Sequence, residues 1–232
     1  MLIRYFPLIF EEPLVFVMLL SAFAFSMLVG LSFHEFSHAL AANTMGDNTP
    51  KRAGRLTLNP RAHLDPIGSV LILIAGFGWA KPTPVNPYNT KFPKQAMAII
   101  ALAGPASNLL IASVAAIPLR LGLLEGSFGD WSSTRLGLLG VFLQMTVLLN
   151  VLLAVFNFLP LAPLDGFKIV VGVLPRQLSM SLARYEAWGP GVLFGLIALP
   201  WITNGSLNPL SSVMNPVIEF FLAVLLGAGR GI

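Results

Sequence analysis

The sequence predicts an all-α polytopic membrane protein with a single domain. Of its 232 residues, 56% are hydrophobic and only 10% are charged, whereas soluble domains contain about a quarter charged residues. Several apolar runs approach the roughly 20 residues that a helix needs to cross a bilayer. We therefore expect about five transmembrane helices, a re-entrant segment and a small membrane-associated β-hairpin, with a core at residues 14–175 and accessory C-terminal helices at residues 185–230.

The first apolar run and the segment after it predict a long helix followed by a hairpin. Leu14 to Leu31 is long enough to span a bilayer, and its helix is expected to continue to about Met45, where Gly46-Asp47 ends it. The next stretch is polar and basic. Within it Arg55 to Asn59 alternates between polar and apolar residues beside a stop at Pro60, which is a strand pattern. We place a short hairpin there, near the membrane surface.

The remaining apolar segments differ in length. Ile67 to Ala80 is short and glycine-rich, which suits a re-entrant segment. Lys81 to Asn89 is expected to be extended, because prolines punctuate it. The further spans are expected at Ala96 to Leu119, Leu136 to Phe158, Gly189 to Ile202 and Val213 to Gly227.

The basic residues indicate the orientation in the membrane. If residues 67–80 turn back and the other five segments cross, all but Arg4, Arg120 and Arg135 of the 14 basic residues lie on one face. The positive-inside rule then predicts that this face is cytoplasmic, with the amino terminus outside and the carboxyl terminus in the cytoplasm. We expect an integral protein of the cell's inner membrane. No basic helix or stripe is present, so nucleic-acid binding is not expected.

The stretch His34-Glu35-x-x-His38 lies at the far end of the first apolar run. On a helix both histidines project from one face and can bind one metal ion, and Glu35 can take a proton from a metal-bound water. This spacing is typical of zinc-dependent peptide hydrolysis. The pattern also arises by chance in helices that bind nothing, but two imidazoles and a carboxylate on an apolar helix are costly unless something compensates them.

A catalytic zinc takes three protein ligands and one open position. The chain has no cysteine, and Asp165 is the candidate third ligand, because the predicted topology returns it to the face of the histidines. The alternative is that Asp165 only caps the next helix. Asn157, eight residues earlier, could donate a hydrogen bond to the oxyanion of a tetrahedral intermediate. Its alternative role is to satisfy backbone groups freed by Pro160.

Three motifs occur in one order along residues 30–175: His34-Glu35-x-x-His38, Gly104-Pro105-x-x-Asn108 and Asn157-x-x-Pro160-x-x-Pro163-Leu164-Asp165-Gly166. Together they resemble the site-2 protease family of intramembrane zinc metalloproteases. Further stretches are similar to the compact prokaryotic branch of that family, which lacks PDZ or other soluble domains. These stretches are Gly54 to Pro60, His63-x-Asp65-Pro66 and Phe77 to Pro82.

The resemblance implies roles for individual residues. It implies that His34, His38 and Asp165 bind one Zn²⁺ ion, that Glu35 activates the water and that Asn157 holds the scissile carbonyl or its oxyanion. It also implies that an edge strand near the site pairs with an unwound stretch of substrate. The alternation favours residues 53–58 as this strand, which makes Ala53, Gly54, Arg55 and Leu56 candidate substrate-binding residues.

Three further polar residues have open roles. Asn108 either contacts substrate or serves close helix packing after Gly104-Pro105. His63 and Asp65 are expected to have a structural or gating role near the interface rather than to bind the metal, because zinc needs an open position.

The sequence therefore predicts an intramembrane zinc endopeptidase. Its substrate would be a single-span or other membrane protein, cut in or near a transmembrane segment close to the cytoplasmic face, as in regulated intramembrane proteolysis. One alternative is a metal-binding transporter, since intramembrane ionisable residues also mark ion paths, although no internal repeat is visible. Another is a catalytically silent membrane chaperone on the same scaffold. The oligomeric state is left open.

Overall fold

The computed structural model describes residues 8–75, 78–124 and 135–227, and most of these residues are helical, with no β-sheet among them. This confirms the all-α prediction for those residues. Short 3₁₀ turns lie at Pro60–Ala62, Pro87–Asn89 and Glu186–Trp188. The helices are α1 (Leu8–Glu11), α2 (Pro13–Thr44), α3 (Thr49–Arg52), α4 (Pro66–Ala75), α5 (Pro93–Arg120), α6 (Arg135–Phe158), α7 (Asp165–Val173), α8 (Arg176–Ala183), α9 (Gly189–Ile202) and α10 (Pro209–Leu226).

Four of these helices, α2, α5, α6 and α10, are long and apolar enough to cross a membrane. The fifth predicted span corresponds to α9, which has only 14 residues. At 1.5 Å per residue α9 extends about 21 Å, less than the roughly 30 Å of a hydrocarbon core. The described residues therefore support four spanning helices, and the expected count of about five is not confirmed.

The segment predicted to be re-entrant forms α4 and then folds back on it; residues 76 and 77 lie outside the described residues. A Cβ built on Gly68 would lie 2.0 Å from the Trp79 carbonyl oxygen, and one built on Gly78 would lie 2.1 Å from the Gly68 carbonyl oxygen. Any larger residue at either position would push the returning chain away. The two glycines thus allow the chain after α4 to lie directly against the start of this helix.

The strand predicted at residues 53–58 is wrong, because this segment is a turn, and the β-hairpin expected there is not confirmed. Gly54 has a φ of +71°, which interrupts extended backbone. The next side chain, Arg55, is buried and donates hydrogen bonds to the carbonyl oxygens of Ala62 (2.5 Å) and Lys81 (3.0 Å). The polar–apolar alternation here reflects a buried guanidinium that joins two loops. The only β-bridge in the described ranges is an isolated antiparallel one between Leu64 and Ala80.

Helices α2, α5, α6 and α7 pack together, and α10 adds to the outer side of α5 and α6. Small residues on α5 permit this approach, because alanine lets two helix backbones come close. The apolar cluster between α5, α6 and α10 includes Ala112, Ala116, Val147, Val151, Ile218 and Leu222. A second cluster, between α2 and α6, includes Val15, Leu19, Phe23, Val141 and Leu149.

Asp47, just after α2, fastens the extended segment before α5 to the end of α2. Its Oδ2 accepts a hydrogen bond from the Asn86 backbone N–H (2.7 Å), and its Oδ1 accepts from the Asn89 side-chain amide (2.8 Å). Oδ1 also accepts from the Thr49 backbone N–H and hydroxyl. Burial alone would raise the pKa of Asp47, but the bonds from Thr49, Asn89 and Asn86 outweigh it and lower the pKa below its ordinary value. Asp47 is thus held as a carboxylate.

We expect Asp47→Asn to lower the free energy of unfolding by about 1–3 kcal/mol, because buried N–H donors lose a charged acceptor. A lowered pKa contributes stability that is full above the ordinary value of 3.8 and is lost as the pH falls through the folded-state value. The difference in the free energy of unfolding between the wild type and Asp47→Asn should therefore become smaller only below about pH 4. Thermal denaturation in detergent across pH measures this. Glu186→Gln, which changes an exposed carboxylate, is the control. If Asp47→Asn had the same thermal denaturation midpoint as the wild type at neutral pH, the stabilising role of the Asp47 carboxylate would be contradicted.

Candidate metal centre

Three ionisable side chains from distant parts of the chain meet beside α2. His34 and His38 lie one turn apart on α2, and Asp165 is the first residue of α7. The Asp165 Oδ2 lies 3.0 Å from His34 Nε2 and 3.1 Å from His38 Nε2. All three side chains are buried. The structure therefore brings the imidazole pair together with the aspartate about 130 residues further on.

The turn before α7 depends on Gly166. A Cβ at this position would lie 2.2 Å from the Phe158 carbonyl oxygen and 2.4 Å from that of Leu159. Only glycine allows the start of α7 to pack against the end of α6. This contact turns the chain back so that Asp165 faces α2.

The donor set fits a zinc ion. One ligand atom from each of His34, His38 and Asp165 lies within 4.8 Å of the other two. Two atoms that each bond a tetrahedral zinc at about 2.1 Å are about 3.4 Å apart, close to the His–Asp distances seen here. Two imidazoles and one carboxylate leave the fourth position of such an ion open, as catalytic zinc requires. Within the described residues this is the only group of three such side chains near enough to share an ion.

Each histidine has its other ring nitrogen fixed by an acceptor. His34 Nδ1 donates to the Asn108 side-chain oxygen (2.7 Å), and His38 Nδ1 donates to the Ile100 carbonyl oxygen (2.6 Å). Because a carbonyl oxygen can only accept, the proton of each neutral imidazole lies on Nδ1. The lone pair of each Nε2 then points towards Asp165, where a metal would bind.

Asn108 lies behind His34, within the packed helices. It is completely buried, and its amide nitrogen donates to the Gly30 carbonyl oxygen (3.0 Å) and to Asn150 Oδ1 (3.1 Å). Asn150 in turn donates to the Thr146 carbonyl oxygen. These contacts favour the packing role expected for Asn108 over substrate contact, and its function stays a prediction. The network joins α2, α5 and α6 behind one imidazole.

Gly104 on α5 leaves open the space in front of the two imidazoles. A Cβ there would lie 2.5 Å from His38 Nε2 and 2.6 Å from His34 Nε2. Both are the nitrogens that would bind an ion, and no neighbour can yield without displacing them. The small residue before Pro105 in the Gly-Pro motif thus makes room for the candidate metal.

Glu35 is held by the extended segment before α5. The backbone N–H of Thr83 donates to Glu35 Oε2 (2.8 Å), and the Thr83 hydroxyl donates to the Glu35 carbonyl oxygen (3.1 Å). Thr83 stands between Pro82 and Pro84, which have no N–H, so it offers the only backbone donor of the three. Sequence reasoning missed both Thr83 and Asn150. The available signals were this lone donor between prolines and a single amide in the middle of a span.

The other predicted site residues lie elsewhere. Asn157 is half-buried, and its amide nitrogen donates to the Leu153 carbonyl oxygen of its own helix (2.9 Å). His63 is completely buried and donates from Nε2 to the Thr57 carbonyl oxygen (2.7 Å). Asp65 accepts from the Gly68 backbone N–H and caps α4. His63 and Asp65 thus stabilise loops and are not part of the three-residue cluster.

The predicted substrate strand also lies apart from the cluster. Ala53 and Gly54 are exposed, Arg55 is buried between loops, and Leu56 is partly buried. None of these residues shares a hydrogen bond with the cluster among the described residues. The extended segment that contains Thr83 is the one that contacts Glu35.

Four apolar spanning helices and a buried His–His–Asp cluster beside a glutamate define a membrane protein with a candidate metallohydrolase centre. The chain is 36% identical to "Putative zinc metalloprotease YwhC" of Bacillus subtilis, over 86% of this chain and 90% of that protein. It is 33% identical to "Putative zinc metalloprotease Rip2" of Mycolicibacterium smegmatis and 32% identical to "Putative zinc metalloprotease MJ0611" of Methanocaldococcus jannaschii. The chain spans 65% and 64% of the length of these two relatives, respectively.

The chain belongs to this site-2 protease-like family of zinc metalloproteases. The motif resemblance found in the sequence is thereby confirmed at the level of the family. No family model matches the chain, and no solved structure matches it significantly.

We expect Asn108→Ala to weaken zinc binding by about 10- to 100-fold, because His34 loses the acceptor that orients its ring. Competition with a chromophoric zinc chelator, on the purified protein in detergent, measures this. Ser113→Ala on the same helix removes a hydroxyl that bonds only the Leu109 carbonyl oxygen and is the matched control. Equal zinc affinity in the wild type and Asn108→Ala would contradict the role of the amide.

Gly104→Ala should reduce zinc affinity by at least about 100-fold, because its methyl group would collide with both coordinating nitrogens. Metal analysis of the purified protein provides the measurement. Gly195→Ala adds the same methyl group to α9, where its Cβ would meet nothing within 4 Å, and should keep its zinc. Full zinc content in folded Gly104→Ala would mean that the ion lies elsewhere.

Proposed function

We propose that the protein is an intramembrane zinc endopeptidase that hydrolyses peptide bonds in or near transmembrane segments of other membrane proteins. The convergence of His34, His38 and Asp165 beside Glu35 is the observation that supports this proposal most directly. Four apolar helices and relatives named zinc metalloproteases add to it. Substrates of this kind are single-span or other membrane proteins, cut in regulated intramembrane proteolysis.

A bound zinc ion would supply Lewis-acid polarisation of the scissile carbonyl and a lowered pKa for the attacking water. Glu35 then takes the proton from that water and delivers it to the leaving amine. The Thr83 N–H holds one oxygen of Glu35 by a 2.8 Å bond. The second oxygen, which has no hydrogen bond among the described residues, is the one that would exchange the proton.

Asn157 is proposed to stabilise the oxyanion. Its amide nitrogen carries two hydrogens, and one of them is used in the bond to the Leu153 carbonyl oxygen. The second hydrogen remains for a substrate oxygen. The position of Asn157 in the last turns of α6, eight residues before Asp165, supports this role.

A helical substrate has to unwind before it is cut, because its carbonyl oxygens are engaged in i→i−4 hydrogen bonds. We propose that the unwound stretch lies along the extended segment of residues 81–86 and not along residues 53–58. From residue 82 to residue 87 the side chains alternate between exposed and partly buried, as on an edge strand. Thr83 and Asn86 already donate their N–H groups to Glu35 and Asp47. Pairing would therefore use the carbonyl oxygens of this segment as acceptors for substrate N–H groups.

We place the centre near the cytoplasmic face of the inner membrane. His34 lies 21 residues after Pro13, about 32 Å along α2, which is about one hydrocarbon thickness from the start of the helix. Basic residues cluster around the loops that follow α2, which favours the cytoplasm for this end and the outside for the amino terminus. A cytoplasmic carboxyl terminus further requires the short helix α9 to cross with local thinning of the bilayer.

Glu35→Gln is expected to lower the cleavage rate by at least about 100-fold and to leave zinc content unchanged, since the amide cannot accept the proton. The measurement is mass spectrometry of products from single-span test substrates that contain a helix breaker, with protein and substrate reconstituted in vesicles. The exposed Glu186→Gln should cleave at the wild-type rate.

A metal transporter on this scaffold would behave differently. It would move zinc into vesicles, and Glu35→Gln, which keeps all three ligands, would preserve that flux. Zinc flux without cleavage would therefore contradict the peptidase proposal, as would full cleavage by Glu35→Gln.

A further inference from the structure

The outer surface of α10 has two flanks of different chemistry. Its buried residues recur at Met214, Ile218, Leu222 and Leu226, which pack against α5 and α6. One exposed flank is apolar and suits lipid, with Val213, Val217, Phe220 and Val224. The other exposed flank, here called the polar flank, consists of Ser212, Asn215 and Glu219 at helical spacings of three and four residues.

Glu219 lies deep within the candidate span. It stands ten residues after Pro209 and seven before Leu226, so it is about 15 Å from one end of α10 and about 11 Å from the other. Ionisable residues at this depth normally face a bundle interior or pair with another polar group. Glu219 is instead exposed on the outside of the bundle. Among the residues that the structure describes, neither a hydrogen bond nor an ion pair reaches its carboxylate.

We propose that the polar flank of α10 binds a transmembrane helix of a different membrane protein, which places a lysine or arginine opposite Glu219. Charge complementarity supports this choice, because a cation is the group that compensates a carboxylate at membrane depth. Asn215 and Ser212 on the same flank supply hydrogen-bonding groups of the kind found between transmembrane helices. The apolar flank would remain in contact with lipid.

A second copy of the chain does not offer this cation. The four candidate spans contain only two basic residues, Lys94 and Arg120, and both lie near helix ends. Both already donate to main-chain carbonyl oxygens, those of Leu174 and Val224 respectively. In a dimer through this flank, two copies of Glu219 would oppose each other. A heterologous partner with a basic residue at mid-depth fits the surface better.

The test uses the full chain in phosphatidylcholine vesicles with synthetic leucine-rich transmembrane peptides that carry Lys, Leu or Glu at the centre. The chain has no cysteine, so one introduced on an exposed loop accepts a fluorescent donor, and energy transfer to labelled peptide reports association. We expect the Lys peptide to bind the wild type about three- to tenfold more tightly than the Leu peptide. Glu219→Gln should abolish this preference, whereas Val217→Gln, which puts the same amide on the apolar flank, should not.

Charge reversal guards against an indirect effect of the amide substitution. Glu219→Lys should transfer the preference from the Lys peptide to the Glu peptide. Equal association of the three peptides with the wild type would overturn the proposal. Energy transfer between donor-labelled and acceptor-labelled copies of the chain would also overturn the proposal if Glu219→Gln abolished it. A second copy of the chain would then occupy this flank.

Discussion

The contact between one aspartate and two imidazoles, made across about 130 residues of chain, is the constraint on which the rest of the structure depends. Three ionisable side chains in an apolar bundle are costly unless each has partners. The fold meets this requirement through two glycines, one where α5 packs against α2 and one where α7 packs against the end of α6. Gly104 admits the imidazoles, and Gly166 lets α7 begin beside the end of α6. A larger residue at either position would separate the groups that compensate one another.

A second layer of hydrogen bonds determines which atoms face the candidate ion. Asn108 and the Ile100 carbonyl oxygen hold the Nδ1 protons of the two histidines, and Thr83 holds the Glu35 carboxylate. Each of these partners comes from α5 or from the segment that leads into it. The position of that segment depends on Asp47, which binds Asn86 just after α2. Residues 81–89 therefore connect the loop after α2 to the site within the bundle, so that a shift of one would displace the other.

The parts of this site that sequence could predict are those with short spacing or with a constraint from topology. His34, Glu35 and His38 are specified by helical periodicity alone. The prediction of Asp165 required only that the chain cross the membrane an even number of times between the histidines and this aspartate. The candidate spans α5 and α6 supply two crossings. Asn150 and Thr83 could not be found in this way, because their roles arise from contacts between elements far apart in sequence. The strand prediction at residues 53–58 failed because alternation does not distinguish an edge strand from a turn with a buried Arg55.

Several polar side chains inside the bundle have hydrogen-bond partners, whereas the carboxylate on the outside of α10 has none among the described residues. Asp165, Asn108 and Asn150 each sit at membrane depth with hydrogen-bond partners from another helix. These partners explain why polar side chains can persist in an apolar core. Glu219 lies well inside α10, a helix whose buried side chains are all apolar. In the proposed interface its partner comes from outside the packed helices, because none of the described residues supplies a compensating cation. An outward-facing carboxylate on a lipid-exposed helix is therefore better understood as half of an interface than as part of the hydrolytic centre.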